Sequence, residues 1–264
     1  NISLDNNKVP HVFVVDEAGN SYGYKRNGDD FDEVIFEENI NYASTTTFES
    51  NFAFDTSNNP YFTFMEGATT EPTIGFCKLT GNDFTNTGDW QFTLLENLDA
   101  SSQNFKANNQ LKSVIRINSN NEKFIFTYRA DGASTNSTAE YLLFHNNGID
   151  DETNLNNWNR YVIDTFGRYM GDKARFEMQL TNDGNPALLY NRPIDQINAF
   201  NQLRYKEFVG SSLGNQSDWS GVFLQNSDQR DDTFSLTFDE SGIPYVTHTN
   251  AEEHNGNYIL SPLS

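Results

Sequence analysis

The chain holds a single cysteine, Cys77, so no disulfide can join two of its own segments, and its apolar surroundings favour a small buried hydrophobe over a reactive thiol. Cations are scarce: 17 Lys and Arg stand against 37 Asp and Glu, a formal net charge of -20. A field of that sign repels phosphate backbones and anionic lipid, which sets aside nucleic acid and membrane insertion; a calcium ion or a neutral glycan fits it better, and the expected partner is a glycan or polysaccharide. No run reaches the roughly 18 apolar residues of a membrane-spanning helix. Asn1-Ile2-Ser3 opens the chain in place of a start Met and an apolar leader, and reads as a mature or trimmed product. The chain has no G-x-S-x-G elbow, Walker loop or dinucleotide glycine fingerprint, which removes the sequence case for a serine hydrolase, a P-loop NTPase or a Rossmann enzyme.

What is present is strand-and-turn chemistry. Aromatic residues make up 14% of the chain, and Asn, Asp, Thr, Ser and Gly separate short apolar runs. Together they predict an all-β fold. An acidic, Asn-rich, cysteine-poor composition of this kind fits a secreted or cell-surface bacterial protein. Asn136-Ser137-Thr138 and Asn215-Gln216-Ser217 are glycosylation sequons only in a eukaryotic secretory context.

The strongest signal is an internal repeat. Five segments share an apolar strand, an Asp-like residue, a tight polar turn, a Pro-like residue at constant offset and a second apolar strand. The Asp-like and Pro-like pairs are Asp5 and Pro10, Asp55 and Pro60, Asn118 and Lys123, Thr181 and Pro186, and Asp239 and Pro244. They recur roughly every 50 to 63 residues, the length of a four-stranded propeller blade with generous loops. A third strand follows, such as Thr73–Leu79, and then a fourth led by Trp90, Trp158 or Trp219, each preceded by Asp89, Asn157 or Asp218. The expectation is a single β-propeller of about five four-stranded blades, with repeats near 1–50, 51–112, 113–175, 176–232 and 233–264. The tryptophans are expected to close each blade against its neighbour, with a sugar-stacking platform as the alternative. Asp55, Asp183, Gly184, Asp239 and Gly242 are expected to form turns. Calcium is possible there and not required, since no dense D-x-D-x-D-G series occurs.

This pattern resembles the repeats of bacterial extracellular β-propellers related to the sialidase and BNR-repeat group. The resemblance is one of fold: Thr87-Gly88-Asp89-Trp90 and its two counterparts match only the end of that group's Asp-box, so no sialidase active site carries over.

Function in a propeller concentrates on the loops joining second to third strands and blade to blade. The repeat alignment places Asp16, Glu66, Arg129, Arg192 and Asn250 at one position just after the second strand, near Tyr128, Tyr190 and His248. Lys106, Lys112, Arg168, Lys173, Arg175 and Arg230 fall on the interblade loops, gathering cations toward one face of an acidic chain. Arginines there would hold a uronic or sialic carboxylate in bidentate fashion, with Arg129, Arg192, Glu66, Asp16, Asn250 and Tyr128 as ligand-binding residues. Tyr190 and His248 are the candidate catalytic groups. That set would suit β-elimination, as in the propeller-type polysaccharide lyases that the repeat also resembles. The bland alternative is a solvated rim of ion pairs. A metal role for His248 with His254 has little support from spacing, and no carboxylate pair for glycoside hydrolysis stands out. Three functions therefore compete: a lectin-like or adhesin propeller, a polysaccharide lyase or hydrolase with one site on the channel face, and a protein-interaction propeller in a surface assembly.

Overall fold

The computed structural model describes residues 2–15, 21–36, 52–66, 73–97, 113–130, 138–167, 174–193, 201–227, 234–248 and 261–262. The first sheet is β1 (Ile2–Leu4), β2 (Pro10–Val15), β3 (Ser21–Asn27) and β4 (Asp30–Ile35). The second is β5 (Ala53–Phe54), β6 (Pro60–Glu66), β7 (Thr73–Leu79) and β8 (Trp90–Asn97). The third is β9 (Ser113–Ile117), β10 (Lys123–Ala130), β11 (Ala139–Asn146) and β12 (Trp158–Phe166). The fourth is β13 (Phe176–Leu180), β14 (Pro186–Pro193), β15 (Asn201–Phe208) and β16 (Trp219–Ser227). Every neighbouring pair is antiparallel and every sheet keeps strands in chain order, the meander of a propeller blade.

The expectation of about five four-stranded blades is corrected to four. The fifth sheet, β17 (Phe234–Phe238), β18 (Pro244–His248) and β19 (Ser261–Pro262), has three strands among the described residues. Its last strand pairs through only Tyr245 with Pro262 and Val246 with Ser261. Proline has no N–H for a further ladder, so it suits the edge of that sheet.

The repeated Asp-like residue has a physical cause. Asp5 Oδ1 accepts from the backbone N–H groups of Asn7 and Val9, both at 2.8 Å, and Asp55, Asn118 and Asp239 make the same pair of bonds in their own turns. Three residues on, the chain enters the left-handed region at Lys8, Asn58, Asn121, Gly184 and Gly242, which ends each turn and starts the second strand. Successive hairpins are tied to each other. Asn6 Nδ2 donates to Asp55 O at 2.8 Å, Thr56 N to Asn121 Oδ1 at 2.8 Å, Asn118 Nδ2 to Gly184 O at 3.3 Å and Asn182 Nδ2 to Glu240 O at 3.1 Å. A run of amide side chains thus links each of the five sheets to the next at one end of the fold, which accounts for the Asn content of these turns.

The Trp turns are a second repeated device at that end. In each, an Asn caps a single 3-10 turn and the indole N–H reaches back six residues. Trp90 Nε1 donates to Phe84 O at 3.0 Å, Trp158 to Glu152 O at 2.8 Å and Trp219 to Leu213 O at 3.0 Å. Gly81 and Gly210 leave room for the carboxylates of Asp89 and Asp218, which would collide with a Cβ there. Trp90 and Trp219 are buried and Trp158 half-buried, so the tryptophans close interblade packing and the sugar-platform alternative falls for the two buried rings.

The core lies between sheets, so strands buried on both faces read as continuous apolar runs. On β6, Phe62 and Phe64 pack toward the first sheet while Tyr61 packs toward the third. On β14, Leu188 and Tyr190 face the third sheet while Ala187 and Leu189 face the fifth. The outer strands carry a bulge, with registers shifting between Ile74 and Gly75, between Tyr141 and Leu142, and between Leu203 and Arg204. At the first bulge a Cβ on Gly75 would stand 2.5 Å from Phe64 Cζ and 2.6 Å from Thr93 O. Gly75→Ala is expected to cost about 2 kcal/mol by overpacking, read as a lower urea midpoint with an unchanged slope.

Candidate functional site

Antiparallel order puts the hairpin and Trp turns at one end and the second-to-third and interblade connections at the other. Arg129 and Arg192, at the ends of β10 and β14, lie at that second end, as does Asp164 near the end of β12. Alternation then decides which cleft each side chain enters. Tyr190 and Arg192 are two apart, so both point toward the third sheet and meet Asp164 there.

The result is a compact polar cluster between the third and fourth blades. Tyr190 Oη donates to Asp164 Oδ2 at 3.1 Å, Arg192 Nε lies 3.5 Å from the same oxygen and Arg204 Nη1 lies 3.9 Å from it. Arg192 Nη2 donates to Thr165 O at 3.3 Å. Arg204 gives its Nε and Nη2 to Gln202 Oε1 at 3.2 and 2.9 Å. Lys206 anchors the flank by donating to Ile163 O at 2.9 Å. Burial first, then the charge of Asp164, pushes the Tyr190 hydroxyl well above its ordinary pKa, so it stays protonated at neutral pH.

Behind this cluster lies a tyrosine layer. Tyr141 packs on Tyr190 with ring centroids 4.7 Å apart and on Tyr128 at 5.6 Å. Tyr141 Oη donates to Asn191 O at 2.9 Å, stitching the third blade to the fourth. In the cleft between the second and third blades, Glu140 Oε2 lies 3.2 Å from Arg129 Nε and 3.5 Å from Arg160 Nη2.

The structure therefore brings Tyr190 and Arg192 together, places Tyr128 in the buried layer behind them and puts Arg129 in the adjacent cleft. Tyr190 and Tyr128 are fully buried, which places both behind the accessible surface. His248 sits half-buried at the end of β18, and no hydrogen bond or ion pair among the described residues joins it to the cluster. Asp16, Asn250, Lys106, Lys112, Arg168, Lys173, Arg230 and His254 lie outside the described residues, and Glu66 is described in its backbone alone. Among the described residues no group of His, Cys, Asp and Glu is arranged to hold a metal.

Sequence reasoning missed Asp164 and Arg204. Asp164 stands at the same offset after Trp158 as Glu96 after Trp90 and Gln225 after Trp219, so the tryptophan repeat did mark the position. Arg204 carried no such signal, because its place opposite Tyr190 depends on strand register.

A further polar set lines the inner strands. Arg116 Nε donates to Gln179 Oε1 at 3.4 Å, Gln179 Nε2 to Glu177 Oε1 at 3.0 Å, and Leu236 N to Glu177 Oε2 at 2.8 Å. Burial raises the Glu177 carboxyl above its ordinary pKa, against the pull of these bonds and of Arg116.

No protein-family profile matches the chain, and no curated protein matches it. Solved structures do. The GH93 alpha-L-arabinofuranosidase of Fusarium graminearum, in complex with arabinobiose, overlays 100% of this chain and 81% of its own at 7% identity and a TM-score of 0.55. The alpha-L-arabinanase of Penicillium chrysogenum, complexed with arabinobiose, overlays 99% of this chain and 80% of its own at 10% identity and a TM-score of 0.55. At such identities the likeness is one of fold.

Proposed function

We propose that this chain is an extracellular glycan-binding propeller that presents its ligand surface at the end bearing the interblade connections. The observation that carries the reading is the polar, arginine-rich cleft between the third and fourth blades, backed by a rigid tyrosine layer and set in a chain of net charge -20. A cleft with a few convergent polar groups, held in place by a buried tyrosine layer, suits the hydroxyls of a sugar. Two propellers of like fold were solved with arabinobiose bound, which supports a glycan as the ligand class. The incomplete Asp-box of the Trp turns supports kinship with BNR-type extracellular propellers on the same footing.

Binding is preferred to elimination because Tyr190, the candidate base, is buried and holds its proton on Asp164. Glu177 supports a second reading, hydrolysis: a carboxyl raised by burial on an inner strand is suited to donate a proton to a leaving oxygen. A panel of neutral and acidic oligosaccharides, followed for both saturable binding and release of reducing ends, separates the two. Binding without product is the expected result. Product formation that disappears in Glu177→Gln would replace the binding reading by the hydrolase, and silence in both channels would remove the glycan.

A further inference from the structure

The cluster at Asp164 holds more positive charge than a structural ion pair needs. Two guanidiniums face one carboxylate, and neither makes a well-formed hydrogen bond to it: the separations are 3.5 Å from Arg192 Nε and 3.9 Å from Arg204 Nη1. Asp164 instead accepts its defined bond from Tyr190 at 3.1 Å. Arg192 Nε is buried without a hydrogen-bond partner among the described residues. Both arginine side chains remain partly open, at 28% and 31% exposure, while Asp164 beneath them is at 12%. The open side of the cluster is therefore cationic and the closed side anionic.

Each arginine is also held from moving off. Arg204 is clamped through two nitrogens on Gln202, and Arg192 through Thr165 O. Arg192 Nε is turned inward to Asp164, so the capacity left for a ligand is the Nη1 of each arginine, which makes no hydrogen bond among the described residues. Two side chains whose rotamer freedom is already spent and whose outer nitrogens are unused form a preorganised anion receptor. A planar carboxylate matches the fork geometry of a guanidinium, which Lys would not supply.

We propose that the cleft between the third and fourth blades takes the carboxylate of an acidic sugar on Arg192 and Arg204, with Asp164 and Tyr190 as positioning residues that hold the two guanidiniums in place. The assignment rests on the glycan-binding reading above and names its ligand class. A uronate within a polymer and a terminal sialic acid present the same carboxylate, so both are tested.

The experiment is calorimetric titration of the full chain with trigalacturonate, its methyl ester, 3′-sialyllactose and arabinotriose. The ester keeps the sugar and removes the charge. At least one acid is expected to bind about tenfold tighter than the neutral probes, the worth of one charge-assisted hydrogen bond, and to weaken as salt rises. Arg204→Gln is expected to remove that advantage, bringing the acid down to the affinity of its neutral methyl ester. Arg192→Gln is the second variant, should the first lower the melting temperature, and Asp164→Asn should weaken the acid through misplacement of both arginines. Preference for trigalacturonate assigns the uronate and preference for sialyllactose the terminal sugar. Equal affinity for acid and ester, unchanged in both arginine variants, overturns the acidic-sugar assignment and leaves the glycan reading standing. Absence of binding by all four probes overturns both.

Discussion

Glu152→Ala is expected to lower the melting temperature by about 6–12 °C, a loss of about 3 kcal/mol for breaking a buried charge set in a chain of this size. Glu152 stands between two lysines: its carboxylate is 2.6 Å from Lys78 Nζ and 3.7 Å from Lys123 Nζ, and it accepts from Tyr61 Oη at 3.1 Å. The Lys123 side chain is only 4% exposed, so removing Glu152 leaves an ammonium nearly dry with like charge beside it. Burial already lowers the Lys123 pKa, and Glu152 is the largest opposing influence. Lys78 at 23% exposure can turn to water, which is why the figure sits at the low end of the range for buried pairs.

The same site gives the direction of the acid limb. Burial works to raise the Glu152 pKa, but the hydrogen bond and charge of Lys78 and the charge of Lys123 outweigh it and hold it below the ordinary 4.5. A carboxyl whose folded value is depressed contributes stability that is complete above the unfolded value and disappears as pH falls through the folded one. Glu152→Gln keeps an acceptor for Tyr61 while deleting the charge. It should therefore destabilise above about pH 4.5 and converge with the parent at lower pH. Denaturant midpoints at neutral pH and near pH 3 check this, and a parallel offset at both would show that the loss was packing and not charge.

Trp90→Ala is expected to cost about 4 kcal/mol, the loss of a large buried ring together with the cavity it leaves. Trp90 is 5% exposed and its ring centroid lies 5.1 Å from Phe36, 5.5 Å from Phe84 and 5.8 Å from Phe62, which belong to the first and second sheets and the turn between β7 and β8. Trp90→Phe should retain most of the packing and lose only the bond to Phe84 O, about 1 kcal/mol. Neither variant should alter glycan affinity in the folded protein. A Trp90→Phe chain that melts with the parent but no longer binds sugar would return the Trp turns to the list of ligand sites.

Much of the fold was legible because its repeated devices are local. Asp5 caps the N–H groups two and four residues ahead of it, and Trp90 bonds a carbonyl six residues behind, so both leave fixed offsets in the chain. The blade count was less legible: the fifth sheet has the same Asp hairpin at Asp239 as the others, while strand number depends on pairing far downstream, with β18 meeting β19 through two residue pairs. At the candidate site, Arg192 and Tyr190 were visible as an arginine and a tyrosine at aligned repeat positions. Their partner was not, since Asp164 lies on another blade and reaches them across a cleft.

The sequence by itself determined the all-β class, the repeat, the turn chemistry and the end of the fold at which Arg129 and Arg192 lie, because each follows from spacing along the chain. Tertiary structure alone decided which charges meet. Lys78 and Glu152 are 74 residues apart, and Tyr190 and Asp164 are 26 apart, in pairs set by blade packing and strand alternation. Coulomb and desolvation energies depend on distances of a few ångströms and on burial, and neither is written in the order of residues.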